Sequence, residues 1–131
     1  MPEKIILPVR GLSEAVAKTR APLSIMVRAD NFLFCSGLPP IDPQTGTIVR
    51  GDIAVQTRAV LEAMRYALET AGSSMDRVVK TTVFITNAAY FNVVNDIYRE
   101  YFPEDPPARS FVAVASWPLE FDIEIECVAL V

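Results

Sequence analysis

No histidine occurs anywhere in the 131 residues of the chain. That absence removes the Ser-His and Cys-His nucleophile pairs, the usual zinc sites and the commonest acid-base side chain together. Cysteine is scarce as well. The two present, Cys35 and Cys127, lie in strand-like apolar runs without CxxC or CxxH spacing, so they read as reduced, buried structural thiols. Phosphate loops, EF-hand loops, dinucleotide fingerprints and HExxH are all missing. Without histidine or an acidic cluster at ligand spacing, no metal is expected.

Positive charge is neither abundant nor clustered: 12 Lys and Arg face 16 Asp and Glu, for a net charge of −4. An acidic chain without a basic stripe is a poor partner for phosphate backbones, so no nucleic-acid binding is expected. Long apolar runs are missing too. The N-terminal stretch from Ile5 to Pro8 is too short for a signal-peptide core or a membrane span, and the expectation is a cytoplasmic protein without a membrane partner.

What remains is a chain with room for one domain, 1–131, and 51% hydrophobic residues. That fraction is high for so small a protein, which implies apolar surface covered by a second copy. SIMVRADNFLFCSG reads as two strands around a turn at Ala29-Asp30-Asn31, followed by the proline-rich LPPIDPQTG loop and a short strand. From Asp52, a candidate N-cap, Val60, Met64, Ala67, Leu68 and Ala71 recur with helical period, and Gly72 stops them. VVKTTVFIT follows as a strand. Asn87 can cap a second helix with an apolar stripe through Phe91, Val94, Tyr98 and Phe102, which PEDPPAR ends. SFVAVA and FDIEIECVALV close the chain as strands around Ser116-Trp117-Pro118.

The expected order is therefore β-β-β-α-β-α-β-β, an α+β fold with a mixed sheet and two helices on one face. The other face, carrying residues such as Val112 or Phe111 and half of the last strand, would lie in water unless copies join through it.

Few residues could do chemistry. Arg109, leaving a strand behind Pro106-Pro107-Ala108, stands on a platform that suits bidentate capture of a carboxylate; it could equally be a surface arginine or the partner of Glu124 or Glu126. Glu124 and Glu126 share one face of the last strand with Val128 and Leu130. Either could be a poorly solvated general base or an exposed glutamate. Ser36-Gly37 could supply a hydroxyl and close backbone approach, or only a turn. Asn95 is a poor helix former among apolar neighbours that could bond across an interface, and Tyr98 and Tyr101 read as packing residues.

PPARSFVAV followed by FDIEIECVAL, with SGLPPIDPQTG, VVKTTVFIT and VNDIYREYF upstream, resembles the RidA/YjgF family of reactive intermediate deaminases, from about Ser24 to the last residue. The resemblance implies a chorismate mutase-like fold of the bacillus type, a homotrimer with clefts between subunits. It also implies cofactor-free hydrolysis of 2-imino and enamino acids, such as 2-aminoacrylate, to 2-keto acids and ammonia. By position, Arg109 matches the arginine that pairs with the substrate carboxylate, and Glu124 the glutamate that holds the attacking water. Ser36, Gly37 and Asn95 match cleft positions, the Phe111 backbone lines the site, and Leu23 falls where a tyrosine covers the substrate. Phe111 replaces a frequent cysteine, so with Leu23 the cleft is more apolar, and a larger or more apolar imino acid or a 2-aminomuconate-type enamine comes into range. Two other functions compete: a non-catalytic trimeric module that binds small carboxylates, and a ribonuclease or chaperone, which an acidic chain without histidine fits poorly.

Overall fold

The computed structural model describes residues 2–131. In chain order the elements are β1 (Lys4–Leu7), α1 (Leu12–Thr19), β2 (Met26–Ala29), β3 (Phe32–Leu38), β4 (Ile41–Asp42), β5 (Thr47–Ile48), α2 (Ile53–Thr70), β6 (Val78–Ile85), α3 (Phe91–Tyr101), β7 (Ala108–Ala113) and β8 (Ile123–Leu130). Six strands form one mixed sheet in the order β1-β2-β3-β8-β6-β7, while β4 and β5 make a separate small hairpin. Among the described residues only β6 and β7 run parallel, joined through α3, and this is the right context for a crossover helix.

The helix signals hold. Asp52 has extended backbone and accepts a hydrogen bond from the Val55 amide at 2.9 Å, so it caps α2 as its residue type predicts. Val60, Met64, Ala67 and Leu68 are completely buried beneath it, and Gly72, with φ +84°, ends the run in a conformation that favours glycine. Asn87 caps a single 3-10 turn, Ala88–Tyr90, which then leads into α3. Within the expected stripe of α3, Val94, Tyr98 and Phe102 are buried, but Phe91 is 43% exposed. It sits at the first turn and leans on Phe111 of β7 instead of entering the core.

The N-terminal segment differs from the expectation. Lys4–Leu7 adds an edge strand antiparallel to β2, and a third helix, α1, follows. Three of the four β1 residues are exposed, so no alternation of burial marks the strand; backbone pairing to β2 makes it. Gly11, at φ +90°, precedes α1 where any side chain would collide with the Pro43 carbonyl, and buried Val9 and Leu12 anchor the segment. The last two expected strands both form, as β7 and β8. They are not neighbours, because β6 lies between β7 and β8.

One face of the sheet is the core. Leu33, Cys35, Thr81, Val83, Ile85, Ile123, Ile125, Cys127 and Ala129 are all buried there, and each fully buried Ile or Leu contributes about 1.5–3 kcal/mol relative to exposure. Cys35 and Cys127 are free thiols facing each other across β3 and β8, and their mutual hydrogen bond, then burial, pushes the Cys35 thiol well above its ordinary pKa. The opposite face stays open. Phe32, Phe34 and Val112 are 41%, 46% and 39% exposed on it. Of the two residues offered for the open face, Val112 or Phe111, it is Val112 that lies there, while Phe111 pairs with buried Val83 on the helix-covered face.

A polar clasp sets where β8 begins. The Gln56 amide of α2 donates to Asp122 Oδ2 at 3.0 Å and accepts from the Asp122 amide at 2.8 Å, while Thr86 donates to Asp122 Oδ1 at 2.9 Å. Gln56→Ala is expected to cost about 1–3 kcal/mol, because it strips two partners from a part-buried aspartate. The measurement is a lower urea midpoint at unchanged slope; an unchanged midpoint would mean the clasp is dispensable.

Candidate active site

Alternation along the strands separates the expected site residues into two groups. In β8, Glu124 pairs with Phe84 of β6 and shares the open face with it. In β7, Arg109 pairs with Thr81 and Phe111 with Val83, both buried on the helix face. Paired residues of neighbouring strands point to the same side of a sheet. Arg109 and Glu124 therefore stand on opposite faces of one chain. Neither glutamate is the structural partner of Arg109.

The first group lies where β3 meets β8. Their register slips between Cys35 and Leu38, a bulge that takes Ser36 and Gly37 out of regular pairing. Gly37 leaves room for Glu124: a Cβ built there would meet the Glu124 carboxylate, and that flexible side chain would have to swing aside. Glu124 is half-buried and receives no side-chain or backbone hydrogen bond from the described residues. Burial, with the charge of Glu126 as a second cause, raises its pKa to about 7. Ser36 Oγ is buried and unpartnered. A cavity of about 270 Å³ adjoins it, lined by Ser24, Phe34, Lys80, Thr82 and Glu126 among others.

The second group lies between α3 and the Pro106-Pro107 loop, around a pocket of about 310 Å³ that Asn95, Tyr98 and Arg109 line. No carboxylate pairs with Arg109 among the described residues. Its guanidinium carbon sits instead 4.9 Å from the ring centroid of Tyr98, 5.5 Å from that of Phe111 and 5.7 Å from that of Phe91. Aromatic rings hold a guanidinium in place without neutralising it, which leaves its fork of donors free for an anion. Tyr98 is more than the packing residue its pattern implied. Its hydroxyl is fixed by Thr81 Oγ1 at 2.8 Å in a buried pair, and burial, first among the causes, raises its pKa. Asn95 Oδ1 is also buried and unpartnered.

Leu23 joins neither group directly. It is 50% exposed and lines an apolar niche with Ile6, Leu7 and Val16, beside Ser24. Reading the sequence missed Ser24, Thr81, Phe91 and Tyr98 as site residues. Pairing of β6 with β7 sets Thr81 opposite Arg109, and α3 brings Phe91 and Tyr98 to it; no spacing in the sequence encodes either placement.

A family model described as endoribonuclease L-PSP matches residues 13–131. A RutC family protein of Pyrococcus horikoshii is 46% identical over 117 residues, covering 89% of this chain and 93% of its own. The 3-aminoacrylate deaminase RutC of Acinetobacter baylyi is 38% identical over 129 residues, with 98% of both chains covered. Among solved structures, E. coli TdcF with bound serine superposes with a TM-score of 0.84 at 33% identity, covering 98% of this chain and 99% of that one.

The environment of Glu124 carries a stability consequence. A carboxyl whose folded pKa is raised contributes nothing adverse below its unfolded pKa, and stability is lost as pH rises from there through about 7. Glu124→Gln is thus expected to melt above the native protein at pH 8 and together with it at pH 4. Equal melting at both values would show that Glu124 is well solvated.

Proposed function

Because the chain belongs to the endoribonuclease L-PSP family, which includes the RidA/YjgF and RutC proteins, we propose that it is a deaminase that hydrolyses reactive 2-imino and enamino acids to 2-keto acids and ammonia. The observation that carries this reading is the pair of unpartnered buried polar atoms, Ser36 Oγ beside the Glu124 group and Asn95 Oδ1 beside Arg109. Leaving a buried polar atom unbonded costs about 1–3 kcal/mol, a cost that makes sense at a surface built to receive a ligand. Each group holds half of what the reaction needs. Since they occupy opposite faces of one chain, the cleft is completed when the Arg109 group of one copy meets the Glu124 group of another. A closed homotrimer of the chorismate mutase-like type provides that meeting and covers the open face with its exposed Phe32 and Phe34.

In this cleft Arg109 holds the substrate carboxylate bidentately and so fixes the direction of the C=N carbon. Glu124, ionised, takes a proton from a water as that water attacks the carbon, which gives a tetrahedral amino alcohol. The same carboxyl then returns that proton to nitrogen and takes up the hydroxyl proton as the carbonyl forms and the C–N bond breaks, so that ammonia leaves and the carboxyl passes to water the proton that the iminium substrate brought in. A carboxyl with a pKa near neutrality suits these transfers. Asn95 Oδ1 is an acceptor for the nitrogen-bound hydrogens. No cofactor and no metal is needed, since the substrate is already an electrophile. The bound serine in TdcF supports a cleft that takes a small amino carboxylate. It also favours a second reading, in which this chain binds such carboxylates without turning them over.

Turnover of imines released in situ by an amino-acid oxidase, with semicarbazide as the competing trap, separates the two. Arg109→Ala is expected to lower kcat/KM about 100-fold, chiefly through KM, and Glu124→Gln to lower kcat about 10²–10⁴-fold with carboxylate binding retained. Native protein that binds carboxylates but never outpaces buffer would establish the binding module. For the active protein, kcat/KM is expected to rise with pH through about 7 as Glu124 ionises. Glu126→Gln moves that rise to lower pH, because it removes a negative charge that disfavours ionisation; a limb that stays in place would assign the base elsewhere.

A further inference from the structure

Around Arg109 the partners are rings and not charges. Phe91 and Phe111 meet edge to face, with centroids 5.0 Å apart and planes at 80°, and both lie within 5.7 Å of the guanidinium carbon. Phe91 is 43% exposed, and Phe111 is only partly buried. Tyr98 differs: it is buried, its hydroxyl is engaged by Thr81, and it supports the guanidinium from within. The two phenylalanines are therefore apolar surface left open beside a cation that no carboxylate neutralises. A carboxylate bound there carries its α-substituent two bonds from the carboxyl carbon, within reach of those rings.

We propose that Phe91 and Phe111 form the side-chain subsite of the cleft and make the protein selective for 2-imino acids with an aromatic or branched aliphatic side chain over the smallest ones. This rests on the reading of Arg109 as the carboxylate receptor. An aromatic substituent gains the offset or edge contacts that rings prefer, and it displaces water from apolar surface. Bringing such a group against the guanidinium also lowers the local dielectric and strengthens the ion pair. A polar or acidic side chain gains neither. The other cation lining the pocket, Arg99, is exposed and engaged by Asp96 at 3.1 Å, so a second carboxylate has no free partner there.

The test compares imines generated from alanine, leucine, phenylalanine and glutamate with native protein, Phe111→Ala and Phe91→Ala. The native protein is expected to favour the phenylalanine imine over the alanine imine by at least about tenfold in kcat/KM, the scale of one or two methylenes in an apolar pocket. In Phe111→Ala that ratio falls about tenfold, and in Phe91→Ala it falls in the same direction. Phe111→Leu, which keeps apolar volume without the ring, lies between. An unchanged ratio, or a native preference for the alanine or glutamate imine, overturns the subsite.

A second arm keeps this outcome apart from failure of the deaminase reading. Calorimetric titration with phenylpyruvate and pyruvate needs no turnover. Tighter phenylpyruvate binding that Phe111→Ala removes, with both ligands lost in Arg109→Ala, upholds the subsite even if no imine is hydrolysed. Equal binding of the two ligands to native protein overturns it even if imines are turned over.

Discussion

Everything about this site depends on the two-residue period of a β-strand. Side chains alternate across a sheet, and β6 sits between β7 and β8 with both registers defined, so Arg109 and Glu124 cannot point to the same side. A register slip of one residue in β7 would carry Arg109 to the open face and Val112 into the core. The buried partners Thr81 and Val83 exclude that slip, because they require Phe111 to pack inward. The same hydrophobic patterning that builds the core thus divides the chemistry between two faces.

Neither group is neutralised by an opposite charge among the described residues. Arg109 is surrounded by rings, and Glu124 lies against a glycine and makes no hydrogen bond or ion pair with the described residues. Burial makes both groups more responsive to an incoming opposite charge than they would be in water. The separation has a use as well. Were the two groups adjacent in one chain they would form an ion pair, Glu124 would titrate low, and Arg109 would be occupied before any carboxylate arrived. In the proposed inter-subunit cleft, a ligand can stand between them.

Rigidity around these groups comes from contacts that carry no chemistry. The Gln56–Asp122–Thr86 clasp sets the start of β8 two residues before Glu124, and the Thr81–Tyr98 hydroxyl pair holds the ring beneath Arg109. The prolines before β7 restrict the loop from which Arg109 emerges. On the open face, Phe32, Phe34 and Val112 remain exposed. That apolar area matches the high hydrophobic content of so short a chain.

Much of this was legible in the sequence, because local physics wrote it there. Asp52 and Gly72 bound a helix through capping and through backbone freedom. The alternation Ile123, Ile125, Cys127, Ala129 marks the buried face of β8, and the absence of histidine removes the Ser-His and Cys-His pairs and the commonest acid-base side chain. The quoted motifs pointed to Arg109, Glu124, Ser36 and Asn95, and two of these carry the unpartnered buried atoms. Strand β1 was not legible, since pairing with β2 sustains it rather than any alternation of its own, whereas helix α1 carries a short stripe, Leu12, Ala15 and Val16, that the sequence reading passed over. Nor could the sequence say that β6 would separate the last two strands, that Phe111 would face the helices, or that Tyr98 and Phe91 would surround Arg109. Those are relations between residues distant along the chain. Capping, period and propensity act over a few residues and are written locally, whereas the face on which a side chain meets its neighbours is decided only when register and helix crossing are set together.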